Sequence, residues 1–242
     1  MCLCITDTEI KDIMDKMNAA EEKVGDFNHF LFAEQYDDEV VTDTLECLVD
    51  YCNAKESFHG ISKFCLLFYE YPDFIIKLPL RGVIEYEYDD EDEVWNQSYT
   101  LYYHQAPTDS GWDYCAAEED IYKEAYDLDI EQVFAETMCI GHTKTGYPVY
   151  VSERIEQCGT CVDDERMQII RSYTQDLDFY TRCSSNVVGQ LFGSYPIDIA
   201  MKVIEFLRNH NIDNDMHYDN YYHNDNGQII FVDYSDFNED LV

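Results

Sequence analysis

The stretch DMHYDNYYHNDNGQIIFVDYSDF, residues 215–237, decides how the rest of the chain is read. It sets Asp215 five positions before Asn220, and Asp233 thirteen positions after Asn220. Two short strand-like runs, NYYHN and QIIFVD, flank Asp225-Asn226-Gly227, a sequence that predicts a hairpin with a type I′ turn. Such a hairpin returns Asp233 to the side of Asn220. An amide oxygen and a carboxylate placed there are hard donors of the kind Mg2+ prefers. Asp215, just ahead of them, is a carboxylate that could orient an attacking hydroxyl. These are parts that phosphoryl transfer needs. The plainer alternative is that Asp215 and Asn220 only form Asx turns ahead of a strand.

Phosphoryl transfer also needs a Lys on the phosphates and an acid to hold that Lys. Working back along the chain, Lys77 ends FIIK in a short apolar, β-branched run (73–80). With KFCLLFYEY (63–71) and the Tyr71-Pro72-Asp73 turn signal, that run predicts a hairpin. Glu118 stands on a predicted helix over 114–127 and is the natural partner of Lys77. Glu119 is the alternative, since adjacent helix positions point about 100° apart.

The remaining elements follow from periodicity. Apolar positions at helical spacing predict helices over 6–20, capped by Thr6 or Asp7, and over 39–53. VFAETMCIGHT (133–143) and YPVYVSERI (147–155) predict a hairpin around Thr145-Gly146. Helices are expected over 163–183 and 196–210, with Pro196 suited to a first helical turn. A further strand is expected within 98–105. Residues 85–93, EYEYDDEDE, hold seven acids in nine and are expected as a solvated loop.

Composition bounds the function. The chain has 242 residues, ample for a core, and 46% of them are hydrophobic, too many for a disordered chain. No apolar run approaches membrane-spanning length, and the opening MCLCITDTEIKD has no basic stretch followed by an apolar block, so neither membrane span nor secretion signal is expected. Lys and Arg number 15 against 51 Asp and Glu, a net charge of −36. That field repels nucleic acid and anionic membranes and attracts basic surfaces. The ten cysteines are expected as reduced thiols of a cytoplasmic protein. Cys158 and Cys161 form a lone C-x-x-C, read as loop cysteines because a structural zinc site needs four ligands.

As a set, IIK on an early strand, an acidic helix, DMHYDN and IIFVDYS resemble the protein-kinase-like fold. The Asp-x-His-x-x-Asn form looks like that of aminoglycoside and choline kinases. The chain is most similar to the early serine/threonine protein kinases of podovirus-type coliphages, over roughly residues 40–240. The resemblance implies an α+β fold, a minimal two-lobed kinase with a truncated C-terminal lobe. It divides the chain into an N-terminal helical segment (1–55), an N-lobe (56–156) with an acidic insert at 82–113, and a C-lobe (157–242). It implies Asp215, Lys77, Glu118 and His217 as catalytic residues, His217 through a backbone hydrogen bond in the catalytic loop. It implies ATP contacts at Gly60, Ser62, Lys77, Glu153 and Ile155, and Mg2+ at Asn220 and Asp233. The implied activity is ATP-dependent phosphorylation of proteins in the host cytoplasm, with shut-off of host transcription as an associated role.

Three departures stand against that pattern. Only Gly60 precedes KFCLLFY where a phosphate-covering loop usually carries several glycines. Asp-Phe-Gly becomes Asp233-Tyr234-Ser235, and only nine residues follow Asp233, so no activation segment is expected. Two readings therefore stand. One is an active minimal kinase. The other is a kinase-fold binding protein whose acidic surface occupies a basic host protein, such as RNA polymerase or another nucleic-acid-binding enzyme, without touching nucleic acid or membrane itself.

Overall fold

The computed structural model describes residues 3–31, 47–59, 62–80, 83–89, 94–100, 113–155, 185–210, 212–214, 216 and 220–235. The fold class is α+β. The described residues form two compact units, one drawn from 2–116 and 137–152, the other from 117–136 and 153–239.

The first unit opens with helix α1 (Asp7–Val24). Thr6 and Glu9 make a reciprocal capping box: Thr6 Oγ1 accepts from Glu9 N, and Glu9 Oε2 accepts from Thr6 N at 2.8 Å. Ile13, Met17 and Ala20 are buried at helical spacing. The helix runs a turn past the expected residue 20 and stops at Gly25, whose φ of 95° disfavours any residue with a Cβ. That extra turn carries Glu21, a buried carboxylate. A short helix α2 (Phe27–Phe30) follows, and residues 47–52 are helical within the expected 39–53.

Strands β1 (Glu56–His59), β2 (Lys63–Leu67) and β3 (Phe74–Pro79) come next. The β2–β3 hairpin matches the sequence expectation, with Phe74 N donating to Tyr71 O across the Pro72 turn. β1 was not expected. In β2 and β3 every other residue points to the same face. Phe64 and Leu66, opposite Leu78 and Ile76, join the apolar core with Ile13 and Met17. Lys63 and Cys65, opposite Pro79 and Lys77, lie on the other face. Both faces are buried, which is why these strands read as continuous apolar runs rather than alternating ones.

Strands β4 (Val83–Asp89) and β5 (Val94–Thr100) correct the reading of the acidic stretch. Residues 85–89 are not a loop but part of β4, paired antiparallel with β5 from Val83↔Thr100 to Asp89↔Val94. Glu85, Glu87 and Asp89 alternate with Tyr86 and Tyr88, a two-residue period that charge density obscured. Residues 90–93, like 101–105 of the other expected strand, lie outside the described residues.

Helix α3 (Tyr114–Asp127) spans the division between the units. Strands β6 (Thr137–His142) and β7 (Pro148–Glu153) form the expected hairpin, turned by Gly146 at φ 87° and interrupted by a bulge between Cys139 and Gly141. Five strands make one sheet in the order β1-β2-β3-β7-β6, while β4 and β5 pair apart from it.

The second unit packs α3 with helices α4 (Ser185–Ser194) and α5 (Ile197–Asn209) and a terminal hairpin, β8 (Tyr221–His223) and β9 (Ile229–Phe231). Its core includes Ala125, Phe134, Val188, Leu191, Phe206 and Phe231. The expected helix at 163–183 lies outside the described residues, whereas α4 had not been expected. Its glycines and valines are weak helix formers, and packing of Val187, Val188 and Leu191 compensates. Pro196 sits at the N-cap of α5 rather than inside it.

No helix among the described residues is long and apolar enough to cross a membrane. Cys52 is a buried thiol whose pKa burial pushes up to about 12, so it packs as a small hydrophobe.

Candidate functional site

The terminal hairpin carries the candidate site. Asn224 N donates to Gln228 O, Gly227 N donates to Asn224 O at 2.8 Å, and Gly227 has φ 73°. Asp225 and Asn226 do not have positive φ. The turn is therefore type I followed by a left-handed glycine, not the expected type I′. It is the three-residue solution to the same hairpin problem. The Asn224 side chain holds it, with Oδ1 accepting from Asn226 N and from Gln228 N at 3.0 Å each.

At the open end of this hairpin, Val232 N donates to Asn220 O at 2.9 Å. Asn220 and Asp233 thus occupy neighbouring positions on the two arms. Asn220 is buried and Asp233 half-buried. The residues flanking Asp233 fix it. Ala135 N donates to Phe231 O at 2.8 Å, and the fully buried Tyr234 donates its hydroxyl to Ala135 O at 2.6 Å. Phe134 meets the Tyr234 ring edge-on at 5.0 Å and the Phe231 ring at 5.6 Å. Ser235 Oγ donates to Asp233 Oδ1 at 3.3 Å. The sequence departure Asp-Tyr-Ser thereby has a local rationale: the tyrosine hydroxyl anchors the arm and the serine hydroxyl orients the carboxylate.

Asn220 and Asp233 offer an amide oxygen and a carboxylate, hard donors of the kind Mg2+ takes one or two of while phosphate and water complete its shell. Among the described residues no group of three or more His, Cys, Asp or Glu could hold a metal by itself. Asp215, His217 and Gly60 lie outside the described residues.

Lys77 lies on β3 of the sheet unit and is buried. Glu118, in the first turns of α3, is fully buried and falls in the other unit. Glu119 on the same helix is partly exposed and bonds Lys123 at 3.3 Å, so Glu118 is the more enclosed of the two acids. Ser62 closes the connection between β1 and β2, where Leu80 N donates to Ser62 O at 2.7 Å. Glu153 ends β7 with Ile155 two residues on, and burial raises the Glu153 pKa.

Among the described residues, the buried charged side chains of Asp213 and Lys63, like those of Glu21 and Asp113, escaped the sequence reading. Asp213 is 1% exposed on a single 3-10 turn (Ile212–Asn214), two residues before Asp215. Lys63 is 4% exposed at the start of β2, on the same sheet face as Lys77. The alternation of KFCLL against FIIKLP contained that second signal, but only the hairpin register exposes it.

No family model, no curated protein and no solved structure matches this chain.

Proposed function

We propose that this protein is a minimal ATP-dependent serine/threonine protein kinase, of a two-lobed kinase-like architecture, acting on other proteins. The observation that supports the reading is the hairpin that sets Asn220 beside Asp233 and braces Asp233 through Tyr234 and Ser235. In this reading the Asn220 amide oxygen and the Asp233 carboxylate hold Mg2+. The ion would supply charge neutralisation on the phosphates and orient them. Lys77 binds the α/β-phosphates and Glu118 holds Lys77. Ser62, with Gly60, covers the phosphates from the β1–β2 connection, and Glu153 and Ile155 contact the nucleotide after β7. Asp215 accepts the proton of the attacking hydroxyl, and His217 supports the loop that carries it. The hydroxyl oxygen bonds to the γ-phosphorus, the bond to the β–γ bridging oxygen breaks, and ADP leaves with that oxygen.

The test is transfer of labelled phosphate from ATP, in Mg2+, onto the protein itself or onto a basic acceptor protein. Asp233→Asn keeps the shape of the side chain and removes its charge. Loss of transfer in the variant supports the assignment; equal labelling by wild type and variant refutes the role of Asp233.

A second reading rests on charge. A net charge of −36, with acids concentrated along and beyond β4, favours attraction to a basic partner such as a nucleic-acid-binding enzyme of the host. In that case the kinase-like parts serve as a scaffold. Salt-sensitive capture of a basic protein without any phosphate transfer would favour it over the first.

A further inference from the structure

Four large apolar side chains stand in solvent at one place in the second unit. Tyr126 and Leu128, at and just past the end of α3, and Ile197 and Met201, on α5, are between 40% and 71% exposed. Ile197 and Met201 are one turn apart and share a helix face. The Lys202 ammonium reaches Leu128 O at 3.5 Å, and His210 Nε2 pairs with Glu124 at 3.1 Å, so α5 runs back along the end of α3 and Leu128 stands beside its first turns. Among the described residues only seven large apolar side chains are this exposed, and these four are all of those in the second unit. Leu128, Ile197 and Met201 are also the only three of the seven without a ring. Their grouping makes a patch, where single exposed residues would need no explanation.

The rim of the patch is acidic. Asp127, Asp129 and Asp198 are exposed next to the four apolar residues in sequence. The C-terminus of a helix favours cations, yet α3 has no base in its last turn and ends on Asp127. Asp129, just beyond, takes the left-handed conformation with φ 57°, a position usually left to glycine. None of these choices favours the helix, and exposed apolar side chains do not favour the fold. Lys202 is already turned to Leu128 O. A ligand bringing its own cations would meet the acids and the carbonyl end of α3 while its apolar side chains cover Leu128, Ile197 and Met201. A second copy of this chain would bring another net charge of −36 and another acidic rim, and an anionic membrane is repelled in the same way.

We infer that this surface docks a basic amphipathic segment of another protein, one with aliphatic side chains on one face and Lys or Arg beside them. Leu128, Ile197 and Met201 are its apolar anchors, and Asp127, Asp129 and Asp198 take the cations. The inference rests neither on phosphate transfer nor on the acids of β4.

Fluorescence anisotropy of the full chain with three labelled synthetic peptides tests this: an amphipathic Leu–Lys helix, its Leu–Glu counterpart, and an oligolysine with the same charge as the first. Wild type is expected to bind the Leu–Lys helix about tenfold or more tighter than oligolysine, and not to bind the Leu–Glu helix. Ile197→Ser with Met201→Ser should weaken the Leu–Lys helix by about tenfold, the effect of losing an interface anchor, and leave oligolysine little changed. Asp127→Asn with Asp129→Asn and Asp198→Asn should weaken both cationic peptides and flatten the salt dependence of binding. Tyr69→Ser, at an exposed ring of the first unit, should change neither. The substituted residues are exposed, so circular dichroism of each variant should match wild type. If the Ile197 and Met201 variant does not fold, Leu128→Ser is read by the same criteria. The inference is overturned by a wild type that does not bind the Leu–Lys helix, by binding indifferent to Ile197 and Met201, or by an equal loss in Tyr69→Ser. Self-association of wild type in sedimentation that the Ile197 and Met201 substitutions abolish also overturns it, and makes the surface a contact between copies.

Discussion

Tyr150 on β7 donates its hydroxyl to Asp113 Oδ2 across 2.6 Å, and both side chains are buried. The other oxygen of the same carboxylate, Oδ1, accepts from Ala116 N at 2.9 Å and so caps α3. One side chain thus ties the sheet to the first turn of the helix that carries Glu118. Asp113→Ala removes the cap, worth about 1 kcal/mol, and leaves a buried hydroxyl without its acceptor, worth about 1–3 kcal/mol. A loss of roughly 2–4 kcal/mol in urea unfolding is expected. Asp113→Asn, which keeps one acceptor oxygen for Ala116 N and turns an amide donor toward the tyrosine hydroxyl oxygen, should lose less. Equal, small effects from both would mean that the bond and the cap contribute little.

The same pair should make stability fall at alkaline pH. Burial, and then the adjacent Asp113 charge, raise the Tyr150 pKa above the ordinary tyrosine value. A phenol whose folded pKa is raised contributes stability that is complete below the unfolded value of about 10. The contribution declines as pH rises from there toward the folded value, because the unfolded chain ionises first. Tyr195 behaves in the same way: its pKa is raised by burial, and its hydroxyl donates to Ile229 O at 2.8 Å. Unfolding free energy should therefore fall above about pH 10. Tyr150→Phe should flatten that fall in part, and Tyr150→Phe with Tyr195→Phe should flatten it further. A wild-type profile level to pH 11 would contradict this.

Glu21 fastens α1 to the β6–β7 turn. Its carboxylate accepts from Thr143 Oγ1 at 2.8 Å, Thr145 Oγ1 at 2.5 Å and Thr145 N at 3.3 Å, and the residue is 4% exposed. Glu21→Ala orphans two hydroxyls and the amides of Thr145 and Phe27, the latter donating to Oε1 at 3.4 Å, and should cost about 2–4 kcal/mol. Thr145→Val in the Glu21→Leu background should recover part of that loss, since it removes one orphaned hydroxyl while Thr143 Oγ1 stays in place as the acceptor for Tyr147 N. Hydrogen exchange at the α1 amides reads the same event locally. No change there in Glu21→Ala would separate the carboxylate from the docking of α1.

The turn of the terminal hairpin governs the spacing of Asn220 and Asp233. Gly227 has φ 73°, so Gly227→Ala should cost about 1 kcal/mol. Asn224→Ala removes the acceptor for Asn226 N and Gln228 N. On the kinase reading both variants should lower the rate of phosphate transfer more than they lower stability. Neither variant alters a proposed ligand, so the damage would be to spacing. Variants destabilised by that amount but with a wild-type transfer rate would detach the hairpin from the chemistry.

The acidic stretch is tested by neutralisation. On the binding-protein reading, replacing Asp89, Asp90, Glu91, Asp92 and Glu93 with Ser and Asn should slow association with a basic partner more than it speeds dissociation, because steering acts on encounter. On the same reading, capture of such partners from a cell lysate by the wild-type chain should weaken above about 0.15 M salt, where the screening length is roughly 8 Å. Identical partners captured by both forms at low and high salt would reduce the charge to a solubility device.

The candidate site was legible in the sequence where its geometry is local. Asn220 and Asp233 are joined by one tight turn, and strand propensity with an Asn-Gly pair suffices to bring them together. Lys77 was legible as a lysine on a strand. Its burial, and the burial of Lys63 on the same face, were not, because both depend on which strand pairs with β2 and in what register. The acidic β4 was misread because charge density masked its two-residue period. Helix α4 was missed because tertiary packing of Val187, Val188 and Leu191 overrides poor helix propensity.

Periodicity and turn chemistry alone determined most element types: α1 with its Thr6 cap, the β2–β3 and β6–β7 hairpins, α3, α5 and the terminal hairpin. These rest on interactions between residues close in the chain, whose strength depends on residue type and spacing. Only the tertiary structure decided that 137–152 joins the first unit and 117–136 the second, that Tyr150 meets Asp113, and that Lys63 and Lys77 share a buried face. Those outcomes depend on the burial of surfaces contributed by residues far apart in sequence, and no local pattern encodes which surfaces will meet.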